Sequence, residues 1–140
     1  MSISDPTETE IRELLERSNT VAVVGLSDDP RRPSHGVARA LQSFGFRVFP
    51  VNPNLDGPVL GERPYASVEE IPEPVDIVDV FRRSEEILPV AAGAVTAEAK
   101  VFWTQLGVVN EEAASLASEG GLSVVMDRCL AVEYARLAGR

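Results

Sequence analysis

The sequence predicts a single α/β domain, a five-stranded parallel sheet with helices on its faces. Three observations predict it. The 140 residues suit one core that buries most of what the unfolded chain exposes. Hydrophobic residues make up 44% and charged residues 25%, the balance of a soluble globular chain rather than a disordered or fibrous one. Short apolar runs, each closed by a turn, alternate with stretches of helical period, which means a parallel sheet with right-handed crossovers. No linker or low-complexity stretch interrupts the chain, so the domain is expected to run over residues 1–140.

The elements follow in order. Asp5-Pro6-Thr7-Glu8 reads as a helix start, with an N-cap, a proline in the first turn and a glutamate completing a capping box. Ile11, Leu14 and Leu15 then share one face. Thr20 to Val24 is nearly continuous and β-branched, a strand buried on both sides and ended by Gly25. Val37, Ala38, Leu41 and Phe44 form a second helical stripe, closed by Gly45. Arg47 to Val51 is the second strand, broken by Asn52-Pro53-Asn54. A Pro- and Gly-rich loop runs to Tyr65, and Ser67 with Glu70 suggests a capping box on a short helix. Val75 to Phe81 is the third strand, and Pro89 places the next helix start near Leu88. Lys100 to Trp103 is the fourth strand, Asn110 caps a helix that Gly120-Gly121 end, and Ser123 to Met126 is the fifth. A helix over Leu130 to Leu137 closes the chain.

Composition excludes several classes. No apolar run approaches the ~20 residues that span a bilayer. Met1 to Glu10 lacks the basic flank of a signal peptide. One cysteine, Cys129, leaves no internal disulfide and fits a cytoplasmic location. A net charge of −9 argues against a nucleic-acid or anionic-membrane surface, though a small anionic ligand responds to local charge.

Local charge therefore matters. Ligands of open parallel sheets bind outside the carboxyl ends of the strands, where strand order reverses. After the first strand come Gly25-Leu26-Ser27 and a loop with Asp28, Asp29, Arg31, Arg32 and Ser34. Gly25 permits close backbone approach, Ser27 and Ser34 offer hydroxyls, and Ser34 stands where it would cap the next helix. The third strand ends in Phe81-Arg82-Arg83 and the fifth in Asp127-Arg128, so five basic residues fall at one predicted edge. Paired loop arginines are often only solvated surface; their concentration at one edge favours an anionic ligand. Asp28 and Asp29 oppose tight phosphate contact and are expected to face solvent.

A dinucleotide fingerprint wants glycine where this chain has Ser27 and Pro30, and an acid after the second strand where it has Asn52-Pro53. NAD is disfavoured, and the neutral Asn52-Pro53 tolerates a nearby phosphate.

Five stretches carry a resemblance: Val21 to Ser27, Val48 to Pro53, Val75 to Arg82, Trp103 to Val108 and Val125 to Cys129. Together, in this order and over nearly the whole chain, they resemble the small bacterial and archaeal CoA-binding proteins, similar in turn to the CoA-binding portion of the succinyl-CoA synthetase alpha subunit. The resemblance implies a Rossmann-like three-layer α/β/α fold with strand order 3-2-1-4-5, and coenzyme A or an acyl-CoA as cofactor. It implies that Gly25, Leu26 and Ser27, with Arg32 and Ser34, hold the diphosphate. Asn52 and Pro53 would flank the adenosine near its 3′-phosphate. Phe81 and Arg82 would meet adenine or the start of the pantetheine, and Gln105 and Gly107 would line the pantetheine path.

Nothing assembles a catalytic or metal site. The phosphorylated histidine of succinyl-CoA synthetase lies in a further domain, and the one histidine here, His35, is expected to be exposed at a helix start. Cys129 beside Arg128 has two readings, a thiolate near the ligand's own thiol or a small packing residue. Trp103 and Phe102 read as packing, and Tyr134 as surface or interface. Three functions compete: a non-catalytic CoA carrier or sensor, a subunit completed by a ligase-like partner, and an interaction protein sensing NAD or an adenine nucleotide. The partners expected are a small nucleotide ligand and, as protein, a second copy or that ligase-like subunit; nucleic acid and membrane are not.

Overall fold

Thr7, not Asp5, caps the first helix. Its hydroxyl accepts from Glu10 N at 3.1 Å while Glu10 Oε1 accepts from Thr7 N at 2.8 Å. Thr7-x-x-Glu10 satisfies the capping-box pattern two residues later than expected and leaves Pro6 in the extended lead-in. Helix α1 therefore spans Glu8–Arg17. The computed structural model describes residues 5–138. Residues 1–4 and 139–140, part of the leader reading and of the 1–140 boundary, lie outside the described residues.

Beyond α1 come β1 (Thr20–Val24), α2 (Pro33–Ser43), β2 (Arg47–Val51), β3 (Ile77–Val80), α3 (Leu88–Thr96), β4 (Val101–Thr104), α4 (Glu111–Glu119), β5 (Ser123–Val125) and α5 (Leu130–Glu133). α5 continues as a π-turn over Tyr134–Ala138, and 3₁₀ turns occupy Val68–Glu70 and Ser84–Glu86. All strand pairs are parallel.

The three-layer α/β/α class holds, but the strand order is 2-1-3-4-5 rather than 3-2-1-4-5. Two features explain it. The outer edge of β2 is taken by the chain at Tyr65, which bridges Val51 in parallel; Tyr65 N donates to the Pro50 oxygen and Asn52 N to the Tyr65 oxygen, both at 2.9 Å. β3 has no place there. The long connection 52–76 instead carries the chain past β1 to its other side, and β3, β4 and β5 follow as neighbours. Strand order thus reverses between β1 and β3.

Alternation along the strands feeds two cores. Ala22, Val24, Phe49, Val78, Val80 and Phe102 face the alanine-rich sides of α3 and α4. Val21, Val23, Val48, Ile77, Val101 and Trp103 face Ile11 and Leu15 of α1, Ala38 and Leu41 of α2, and Leu130 of α5. Phe102 and Trp103 are fully buried, as packing residues should be. Tyr134 is buried too, not surface: its ring stacks on Phe44 at 4.7 Å and meets Phe46 edge-on at 5.2 Å.

Two other local expectations change. Ser67 precedes a 3₁₀ turn without a side-chain cap bond, and the Glu70 carboxylate accepts from Ala66 N instead. The N-cap of α2 is Arg32, with Pro33 as its first residue, so Ser34 lies inside the helix. Asn110 does cap α4, accepting from Ala113 N at 2.9 Å.

Candidate functional site

At the switch point the ends of β1, β2 and β3 are drawn together by main chain. Gly25 N donates to the Val51 oxygen and Phe81 N to the Val24 oxygen, both at 2.8 Å. Gly25 has φ +87°, and a Cβ there would collide with the Phe81 carbonyl oxygen. Only glycine lets β1 leave the sheet this close to β3. Asn52 Nδ2 donates to the Leu26 oxygen at 3.1 Å, tying the end of β2 to the first loop. Leu26 is fully buried, main chain included, so it serves to anchor the loop.

The first loop is held by its own hydroxyls. Ser27 N donates to Ser34 Oγ, and Asp29 N to Ser27 Oγ, each at 3.0 Å. Ser34 is buried and fastens the loop onto the first turn of α2 instead of capping that helix. Asp29 does not simply face solvent. Arg31 grips its carboxylate with two nitrogens at 3.1 and 3.0 Å. Those hydrogen bonds, with one from Arg31 N, hold the Asp29 carboxyl below its usual range.

The expected cluster of five arginines is thus partly neutralised. Arg31 pairs with Asp29, Arg128 with Glu133 at 3.1 Å, and Arg82 lies 3.8 Å from Glu86. Arg32 and Arg83 have no carboxylate partner among the described residues.

A cavity of about 340 Å³ opens where β1, β2 and β3 end, lined by Val24, Val51, Pro53, Ser67, Arg82 and Pro89 among others. It joins Pro53 and Arg82, far apart in sequence, beside the Gly25–Phe81 contact. Gln105 and Gly107 lie further along the edge, at the end of β4. The Gln105 side chain is buried and its oxygen accepts from Leu130 N at 3.2 Å, so it is occupied in seating α5. Gly107, exposed with φ +81°, donates from its N–H to Asp127 Oδ1 at 2.7 Å.

Of two buried polar residues, His35 was misread in the sequence and Asp79 went unread. His35 is not exposed: it is buried, with Nδ1 lacking any hydrogen-bond partner. Its spacing of three from Ala38, on the apolar stripe of α2, was the available signal. Asp79, a lone charge inside an all-apolar strand, is completely buried and both its oxygens are unpartnered. Burial pushes its carboxyl well above the usual range, so it is neutral over the pH range where exposed carboxylates ionise. Asp79 points to the face covered by α2, level with Val23 and Trp103. Among the described residues no acid, histidine or cysteine cluster could hold a metal ion, and no helix is long and apolar enough to cross a membrane.

Fold and crevice together define a doubly wound α/β domain with an open site at its switch point. Residues 19–135 match the CoA binding domain family, and the chain belongs to that family. It is 47% identical over 133 residues to the uncharacterized protein YneT of Bacillus subtilis (strain 168), covering 95% of this chain and 98% of YneT. A hypothetical protein from Pyrococcus horikoshii OT3 superposes with TM-score 0.91 at 37% identity, covering 99% of this chain and all of that one (100%). The dinucleotide forming acetyl-coenzyme A synthetase 1 of Ca. Korarchaeum cryptofilum, in complex with phosphate and ADP, matches with TM-score 0.68 at 27% identity. That likeness covers 81% of this chain but 27% of the synthetase.

Proposed function

We infer that this chain is one ligand-binding domain that takes coenzyme A or an acyl-CoA across the carboxyl edge of its sheet, as a carrier or sensor without chemistry of its own. The observation that carries the reading is the switch-point cavity uniting Pro53 and Arg82 beside Gly25, in a chain of the CoA binding domain family. The first loop, with the unpaired Arg32, suits the diphosphate, and Asn52-Pro53 the adenosine. Ser27 would contribute main chain, Leu26 and Ser34 the loop's rigidity, and Gln105 the seat of α5 behind the pantetheine.

A second reading has its own support. The chain matches about a quarter of an acetyl-coenzyme A synthetase, the relation expected of a binding module completed by a separate ligase-like subunit. Co-purification of such a subunit from native extract favours it.

Thermal unfolding tests the main reading. CoA at ~100 times its dissociation constant adds ~2.7 kcal/mol to stability, roughly 5–10 °C for a chain of this size. Dephospho-CoA should shift less and NAD little. Equal shifts from NAD and CoA would transfer the reading to a general adenine-nucleotide sensor.

A further inference from the structure

Among the described residues three large apolar side chains are left exposed, Leu106, Val109 and Val132, and all line one cavity of about 440 Å³ at the ends of β4 and β5, together with Met126. Scattered exposed apolar residues are ordinary; three converging on one concave site are not. Their exposure does not come from a loose loop. Thr104 Oγ1 donates to the Val108 oxygen at 2.6 Å and accepts from Asp127 N at 3.1 Å. Gly107 N is held by Asp127, and Val109 N donates to Ser84 Oγ at 3.0 Å. The fold therefore fixes Leu106 and Val109 in an outward position, the preorganisation a binding site needs.

We propose, resting on the CoA reading above, that this cavity receives the acyl group of a thioester, and that the group is uncharged and apolar. Reach supports the occupant. From β1 to β5 the sheet order takes three strand steps, about 14 Å at the usual strand spacing. A pantetheine arm of about twelve bonds, equal to four residues of extended backbone, spans roughly 14 Å. A ligand with its diphosphate on the first loop thus delivers its sulfur to this cavity, and whatever the sulfur carries lies among Leu106, Val109, Met126 and Val132.

Charge sets the class of acyl group. Asp5, Glu111 and Asp127 also line the cavity and have no cationic partner among the described residues, whereas Arg128 is engaged by Glu133. The wall is apolar and the rim is negative. A dicarboxylic acyl group such as succinyl meets repulsion there; butyryl meets none.

Isothermal titration of the full chain with CoA, acetyl-CoA, butyryl-CoA and succinyl-CoA tests this. Each methylene buried should tighten binding about fourfold, giving about fifteenfold from acetyl- to butyryl-CoA. Succinyl-CoA should bind about tenfold more weakly than butyryl-CoA. In Val132→Asp the ratio of butyryl-CoA to CoA affinity should fall to about one; Val132 is exposed on α5, and circular dichroism checks the fold. CoA binding with no gain along the acyl series, or a gain that survives Val132→Asp, overturns the acyl site and leaves the CoA reading standing. A flat series in a chain that dimerises, with the dimer lost in Val132→Asp, overturns it in favour of a second copy on this face. No binding by any of the four ligands overturns the CoA reading itself.

Discussion

Asp76 and Asp79 lie three residues apart at opposite ends of β3, and their surroundings are opposites. Asp76 is mostly buried, yet Oδ2 accepts from Asn19 N at 2.7 Å and Thr20 N at 3.2 Å, and Lys100 lies 3.6 Å from Oδ1. Its own N donates to Thr20 Oγ1 at 2.8 Å. That carboxylate staples the amino ends of β1, β3 and β4. Asp79, near the carboxyl end, has no partner at all. An unsatisfied buried polar group costs about 1–3 kcal/mol, and a chain that satisfies one aspartate so fully has no stability reason to keep the other. The amino end of the sheet is spent on holding the fold, while the carboxyl end leaves a buried carboxyl without a bond and, on the reading proposed above, carries the ligand.

Gly25 aside, where fold and site share one contact, substitutions at the two ends should separate stability from binding. Gly25→Ala should do the most damage, about 3–5 kcal/mol of folding stability, because a positive φ and a collision with the Phe81 carbonyl act together; urea unfolding reads it, and CoA affinity should fall as well. Asp76→Ala should lose about 2–4 kcal/mol by stranding the Asn19 and Thr20 amides. Calorimetric CoA affinity should stay within twofold in that variant, and a larger loss would break the division. Arg32→Ala should weaken CoA by about tenfold or more with unfolding unchanged, as loss of one charge-assisted phosphate bond costs roughly 1.5–3 kcal/mol. Arg31→Ala, whose guanidinium Asp29 already holds, should change affinity little.

Asp79 gives the contrast a pH dependence. Its folded carboxyl is raised above the ordinary 3.8, so the native state keeps a proton that the unfolded state releases. The contribution of this group to stability is therefore greatest below the ordinary carboxylate range and declines as pH rises, by about 1.4 kcal/mol per pH unit, until the native carboxyl itself ionises. Asp79→Asn should remove that decline, measured by urea unfolding at several pH values from about 4.5 to 7. An unchanged slope would mean that Asp79 is not the group that keeps the proton.

The five strands were legible because buried parallel strands are written as continuous β-branched runs, and Val21 to Val24 or Val101 to Trp103 admit little else. Their order was not, because it turns on Tyr65 occupying the β2 edge, a contact between segments with no mutual signature. Glycines were read well where the backbone demands them, as at Gly25 and Gly45, both with positive φ. Side-chain roles were read less well. Ser34 looked like a cap because the atom it bonds, Ser27 N, lies seven residues back in the first loop. Burial of His35 and Asp79 was visible in principle as polar residues at apolar positions. Asp79 was passed over because charge was counted only at the strand ends, and His35 was judged by its place at a helix start.

The Tyr65 bridge also bears on self-association. An unpaired strand edge invites another chain to continue the sheet, and at the carboxyl end of β2 that invitation is withdrawn, since Pro50 and Asn52 already spend their outward groups on Tyr65. Growth by edge pairing is left to β5, a strand of three residues whose first, Ser123, is exposed. A symmetric sheet-to-sheet dimer would have little backbone to grip there, which favours side-chain faces over strand edges as the place where copies of this chain would pair.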